Sequence, residues 1–415
     1  MLRGNAIVGQ SGGPTAAINA TLAGVIEGAI NSDGAIGALY GMRHGVVGLL
    51  EENIINLSEI FASPDGEGID CDKLSLLAQT PAAALGSCRK KLPNPADDSE
   101  FYLNLISIFK KYDIRYFFYI GGNDSMDTVA KLTEYLKYSD YEMRCVGIPK
   151  TIDNDLTGTD HTPGFGSAAK YIAATVQEII RDCSVYAVPA VTIVEIMGRD
   201  AGWLTAAAAI PGRIANTPCD FIYLPERVFN MDRFICDVKG ALEKKHAVVV
   251  AVSEGVRFAD GKYVGEGSQS GVTDVFGHKY LAGTGKALEN AVKEKIGCKV
   301  RSVELNICQR CASHITSRTD LEESAEIGRG GVSFALQGES GVMVCALREE
   351  KTEYSIKLSP LPIASIANAV RCVPDSYINE SGNYVTDECI DYILPLIAGE
   401  CDIKYNKGLP IHITL

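Results

Sequence analysis

The chain of 415 residues has no apolar run approaching the roughly 18 uninterrupted residues that a membrane span requires, and its N-terminus Met1-Leu2-Arg3-Gly4-Asn5 runs straight into an apolar segment; both point to a soluble, cytoplasmic protein without a membrane partner. Positive charge is also scarce. With 39 Lys and Arg against 52 Asp and Glu, the net charge of −13 argues against nonspecific nucleic-acid binding, and any anion site must be a local basic cluster on a repulsive background. An even cysteine framework is missing: there are 13 cysteines, and Cys145 and Cys345 lie in apolar segments where a reduced thiol acts as a small hydrophobe. The sequence contains no internal repeat, no low-complexity tract and no linker long enough to divide it. Its single tryptophan, Trp203, is expected with Met197 to pack in a core or a cleft.

Familiar cofactor motifs are present only as fragments. Gly283-Thr284-Gly285-Lys286 lacks the spacing and the following Ser or Thr of a P-loop, and Gly164-Phe165-Gly166-Ser167-Ala168-Ala169 has no strand before it, so close packing at a helix start explains it better than a dinucleotide site. Cys308, Cys311 and His314 have metal-like spacing without a fourth ligand nearby.

What the sequence does contain is 46% hydrophobic residues arranged as short apolar runs alternating with helix-period segments. Strands are expected at Ala6–Gly9, Arg115–Ile120, Arg144–Ile148, Ala190–Ile196, Phe221–Leu224 and His246–Val252, with a crossover helix carrying Ile172, Val176, Ile179, Ile180 and Cys183. Asn94–Ser99 and Ala259–Lys262 read as surface loops, and Gly328-Arg329-Gly330-Gly331 as the lead into a β-rich stretch, Val332–Leu347. This is an α/β pattern with mostly parallel sheets, in which ligands bind beyond the carboxyl ends of strands.

Polar or glycine-rich segments fall at such ends. Pro149-Lys150-Thr151-Ile152-Asp153-Asn154-Asp155 places an ammonium and two carboxylates directly after an apolar run. One reading is a reaction centre in which Asp153 takes a proton, Asp155 orients a cation or substrate group and Lys150 faces a phosphate; the other is an ordinary turn with capping residues. Gly12 and Gly13 either bring backbone N–H groups to a phosphate, beside a helix expected to start near Thr15, or form a plain glycine turn. Gly121-Gly122-Asn123-Asp124-Ser125 follows Tyr116–Ile120, and on its own reads equally as a helix cap.

Together with Leu85-Gly86-Ser87-Cys88-Arg89, Met197-Gly198-Arg199, Ser253-Glu254 and Gln309-Arg310, these segments occur in an order that resembles the phosphofructokinase family, more narrowly its diphosphate-dependent branch, across roughly the first 330 residues. The resemblance implies two similar Rossmann-like α/β lobes with the active site in the cleft between them. Residues 1–160 with part of 308–365 would form the phosphoryl-donor lobe, and 161–307 with the C-terminal segment the sugar-phosphate lobe. It implies reversible phosphoryl transfer from diphosphate to the 1-hydroxyl of fructose 6-phosphate with Mg²⁺, in a homodimer or homotetramer. Alternatives are an ATP-dependent enzyme of the same fold and a noncatalytic sugar-phosphate-binding regulatory subunit.

By the same resemblance, Asp153, Lys150, Asp124 and Arg199 would be catalytic, and Gly12, Gly13, Arg89, Asp124 and Lys150 would bind diphosphate. Thr151, Ile152, Asp153, Met197, Gly198, Arg199, Glu254, Arg301, Ile307 and Arg310 would bind the sugar phosphate, and Asn123 and Asp155 the metal. ATP-using relatives carry Gly-Gly-Asp-Gly-Ser where this chain has Asn123 and Asp124, and a glycine at the position of Lys150. A carboxylate at Asp124 would repel the α-phosphate of ATP, while an ammonium at Lys150 replaces contacts that adenosine would make. The chain departs from the family pattern at Ala190, where many relatives have an arginine reaching across a subunit interface, and at Ile307, where many have histidine.

Overall fold

The computed structural model describes residues 2–65, 68–266, 283–366 and 369–415. Its two main sheets are built from β1 (Gly4–Gln10), β2 (Ile36–Met42), β3 (Ile54–Asn56), β4 (Ile114–Gly121), β5 (Arg144–Pro149), β6 (Ala190–Ile196), β7 (Phe221–Tyr223), β8 (Ala247–Ser253), β9 (Lys299–Glu304), β10 (Val342–Arg348) and β11 (Ile356–Pro362), and Tyr405–Asn406 pairs with Leu409–Pro410 as a separate short ribbon. One sheet runs β11-β10-β5-β4-β1-β2-β3 and is parallel except for the antiparallel edges β11 and β3. A second, β7-β8-β6-β9, is parallel throughout. The two sheets give the chain its two α/β lobes.

The central strands are near-continuous apolar runs because helices cover both faces of a parallel sheet. In β4, Tyr116, Phe118 and Ile120 enter one core while Phe117 and Tyr119 enter the core on the opposite face. In β6, Val194 and Ile196 pack with Trp203, whereas Val191 and Ile193 pack with Phe234 and Val250. The crossover helix Phe165–Cys183 buries Ile172 and Val176 against the same core as Trp203. Its first turn is fixed by Asp320, whose carboxylate accepts the Gly164 and Ser167 N–H groups, each at 2.9 Å.

Two expectations give way here. Gly328–Gly331 does not lead into a strand: it lies within the helix Arg318–Leu336, and β10 begins only at Val342. The glycines serve packing, because a Cβ on Gly328 would stand 2.2 Å from the Thr21 carbonyl oxygen and one on Gly24 would stand 2.0 Å from that of Ala325. The helices Ile18–Ile30 and Arg318–Leu336 therefore cross backbone to backbone. The first of them starts at Ile18 rather than near Thr15, so the glycine loop after β1 is longer than expected. Among the described residues, no helix is long and apolar enough to cross a membrane.

Candidate active site

Strand order builds the site. Since β5, β4 and β1 are neighbours, the segments following them meet in one row, and the ends of β8, β6 and β9 form the facing wall. Between them lies a cleft of about 450 Å³, within the roughly 300–1,000 Å³ usual for ligand sites.

After β1, Gly12 adopts φ +77°, a left-handed backbone that glycine enters without strain. A Cβ there would lie 3.1 Å from Lys150 Nζ, so the missing side chain also leaves room for the ammonium. The loop is tied down by Ser87 Oγ, which donates to the Gly12 carbonyl at 2.6 Å, and by Gly12 N–H, which donates to Cys88 O at 3.1 Å. Arg89 follows directly and lines the cleft.

After β4, Gly122 is the N-cap of the helix Asn123–Leu136 and makes no side-chain cap bond. Asn123 and Asp124 thus occupy the first turn and do not act as caps. Asp124 lines the cleft and pairs with Lys91 Nζ at 3.1 Å. Asn123 Oδ1 is buried without a hydrogen-bond partner.

After β5, buried Lys150 donates from Nζ to the Gly13 carbonyl at 2.6 Å, joining two of the three loops. Burial pulls its pKa down to about 8, opposed by the charge of Asp153. Thr151 accepts the Asp153 N–H at 3.2 Å and its hydroxyl donates to Asp153 Oδ2 at 3.4 Å, while Ile152 is buried beneath. Burial raises the pKa of Asp153, with Lys150 pulling the other way. Asp155 is pushed up to about 7 by burial and by the charge of Asp153. Burial thus works against the charged form of all three groups, raising both carboxyls and lowering the ammonium.

The facing wall carries Met197, Arg199 and Glu254. Gly198 N–H donates to Glu254 Oε1 at 3.4 Å, the Ser253 hydroxyl donates to Gly198 O, and Met197 N–H donates to Gln309 Oε1 at 3.2 Å. Burial and then the Asp153 charge push Glu254 up to about 8. Trp203 is fully buried in the core behind this wall.

Three expected sugar-phosphate residues sit differently from the rest. Arg310 reaches across toward the glycine loop, 3.5 Å from where a Gly13 Cβ would stand. Arg301 lies outside the cleft in a separate depression with Thr175, Glu178 and Asp182, its guanidinium 4.0 Å from the Asp182 carboxylate. Ile307 is 56% exposed and lines no part of the cleft. Sequence reasoning missed Asp200, which lines the cleft beside Arg199, and Val370, which enters from the C-terminal segment. Adjacency to Arg199 was a signal for the first; nothing local signals the second.

As a metal site the cleft is sparse. Among the described residues, no group of three or more His, Cys, Asp and Glu side chains forms a cage. The buried, unpartnered Asn123 Oδ1 and the Asp155 carboxylate instead suit a hard cation that keeps several waters and takes its other ligands from phosphate oxygens, as Mg²⁺ does.

The phosphofructokinase family matches residues 5–320. Over its whole length the chain is similar to the pyrophosphate–fructose 6-phosphate 1-phosphotransferases of Xanthomonas campestris pv. campestris, 39% identical over 100% of this chain and 97% of the relative, and of Methylococcus capsulatus, 39% identical over 99% and 96%. The crystal structure of the pyrophosphate-dependent phosphofructokinase from Nitrosospira multiformis superposes with a TM-score of 0.86 at 36% identity, covering 99% of this chain and 96% of that one.

Proposed function

The chain belongs to the phosphofructokinase family, and we infer that it transfers a phosphoryl group reversibly from diphosphate to the 1-hydroxyl of fructose 6-phosphate, giving phosphate and fructose 1,6-bisphosphate. The observation that carries the donor choice is the pairing of buried Lys150 with the Gly13 loop, with Asp124 at the same end of the cleft. The ammonium offers charge to a compact two-phosphate donor, and the carboxylate stands against a third phosphate.

In this reading Asp153 takes the proton of the 1-hydroxyl as that oxygen attacks the terminal phosphorus, and returns it in the reverse direction. Burial raises its pKa above the ordinary carboxylate value, the direction in which a carboxylate becomes a stronger base. Lys150 and Arg199 face the charge spread over the transferring group, where cations fixed in place stabilise it as it develops. Gly12, Gly13 and Arg89 hold the diphosphate, while Met197, Gly198, Glu254 and Arg310 hold the sugar phosphate. Mg²⁺, when bound, supplies counter-charge to the phosphate oxygens, and Asn123 and Asp155 are the residues that would hold it.

We assign residues 1–160 with part of 308–365 to the donor lobe and 161–307 with the C-terminal segment to the acceptor lobe. A homodimer or homotetramer belongs to the same reading, supported by exposed Val185, Tyr186 and Val188. Lys299 of β9 lies over the Tyr186 ring at 5.2 Å, so this apolar surface adjoins the strand that carries Arg301. All thirteen cysteines are free thiols, which supports a cytoplasmic location.

The test is a donor panel on the purified chain with fructose 6-phosphate and Mg²⁺. Diphosphate should support turnover and ATP should not. Preference for ATP would overturn the donor assignment, and inactivity of the chain alone with either donor would favour a regulatory subunit.

A further inference from the structure

Asn154, between the two site carboxylates, is fully buried and has φ +55°, a conformation that asparagine tolerates better than most residues but that surrounding structure must hold. Its side chain is bonded at both ends: Oδ1 accepts the Thr162 N–H at 3.1 Å, and Nδ2 donates to the Tyr392 hydroxyl at 3.0 Å. Its backbone carbonyl accepts from Arg371 at 3.4 Å, and the carbonyl of Asp155 accepts the Arg371 N–H at 2.8 Å. Arg371 also donates to the Tyr392 hydroxyl at 3.2 Å, and that hydroxyl donates to Asp160 O at 2.7 Å. The guanidinium lies over the Trp203 ring, 4.3 Å from its centre, and the indole N–H donates to Arg371 O at 2.9 Å.

Both braces come from chain beyond residue 320, where the family match stops, and neither lines the cleft. We propose that Arg371 and Tyr392 are positioning residues for phosphoryl transfer: from behind the loop they lock the left-handed Asn154, and with it the separation and direction of Asp153 and Asp155. Asn154 is the left-handed link between the two carboxylates, so relaxing that one residue swings them relative to each other without touching Lys150 or the glycine loop. A base displaced by about 1 Å loses on the order of a hundredfold in rate while ground-state contacts persist.

This rests on the reading of Asp153 as the base, and the test separates the two. Tyr392→Phe keeps the ring and deletes the hydroxyl shared by Asn154, Arg371 and Asp160. Arg371→Lys keeps the charge and loses the fork, and it carries the test if Tyr392→Phe fails to fold. Each should lower kcat about 10- to 100-fold with KM for both substrates within roughly threefold of wild type. The deciding readout is the same substitution placed on Asp153→Ser. A residue that acts chiefly by aiming Asp153 costs much less once that carboxylate is gone, only the share that runs through Asp155 remaining, whereas a general structural defect lowers kcat by the same factor in both backgrounds. Equal loss in the two backgrounds, or wild-type kcat in both single variants, overturns the proposal while leaving the base assignment intact. An active Asp153→Ser protein overturns the base assignment and this proposal with it.

Discussion

On the donor side of the cleft, Lys150 reaches Gly13, Ser87 and Cys88 fix Gly12, and these contacts tie the loop after β1 to the loop after β5 of the same sheet and to the segment that follows the helix Cys71–Gln79. On the acceptor side, Met197, Gly198 and Glu254 are fixed just as firmly, yet Arg301 and Ile307 point away from the cleft, and Arg310 leans toward the donor loop. The expected donor-side residues meet in one cleft, whereas two of those expected at the phosphate end of the acceptor side do not reach it. A two-phosphate donor needs a small, rigid cradle made from backbone and one buried ammonium. A sugar phosphate needs long side chains, whose positions depend on what lies opposite them.

The largest expected effect strikes the point that both halves share. Asp153→Ser should reduce kcat by roughly 10²–10⁴-fold in both reaction directions with little change in either KM, measured by steady-state rates on folded protein. A value within a few-fold of wild type would transfer the role to Asp155.

Next comes the donor half. Asp124→Gly should reduce the diphosphate reaction on the order of a hundredfold, and Asp124→Gly with Lys150→Gly should permit measurable turnover with ATP. Unchanged diphosphate rates in both variants would remove these residues from donor choice.

Arg310 decides where the halves meet. Arg310→Ala should raise KM for fructose 6-phosphate roughly tenfold to a hundredfold, since a charge-assisted contact contributes about 1.5–3 kcal/mol, and should raise KM for diphosphate less. The opposite ordering would assign Arg310 to the donor half, as its approach to Gly13 allows.

The smallest effect concerns the seam beneath the site. His161 is buried between Asp160, 2.9 Å from Nδ1, and Glu323, 2.7 Å from Nε2. Burial disfavours its charge, but the two hydrogen-bonded carboxylates prevail and lift its pKa from 6.5 to about 9. Because the folded value is the higher one, the stabilisation is fully present below pH 6.5 and is lost as pH rises through about 9. It amounts to roughly 3 kcal/mol at most. Between pH 6 and 10 the Tm of wild type should fall relative to that of His161→Gln; parallel curves would remove His161 as the cause.

Much of this was legible in the sequence because strands buried on both faces declare themselves as apolar runs, and because Lys150, Asp153 and Asp155 sit within one loop. Other features hide for physical reasons. Strand β9, Lys-Val-Arg-Ser-Val-Glu, is a half-exposed edge with no continuous apolar run. The glycines at 328–331 resemble a turn, although their small size serves helix contact. Arg371 and Tyr392 carry no local motif, since their meaning lies in a partner, Asn154, far away along the chain.

The pairing of β5 with β10 bears on synthesis at the ribosome. Val146 and Gly147 lie beside Val342 and Met343, so the strand that ends in the reaction loop gains its outer neighbour only after roughly two hundred further residues have emerged. At about 5–20 residues per second, that leaves an apolar parallel edge open for some 10–40 s in each nascent chain. The helix contact through Gly24 and Gly328 arrives equally late. The N-terminal half of this enzyme therefore carries an uncovered apolar strand edge during translation, and a ribosome stalled between residues 150 and 340 would release a fragment with that strand unguarded.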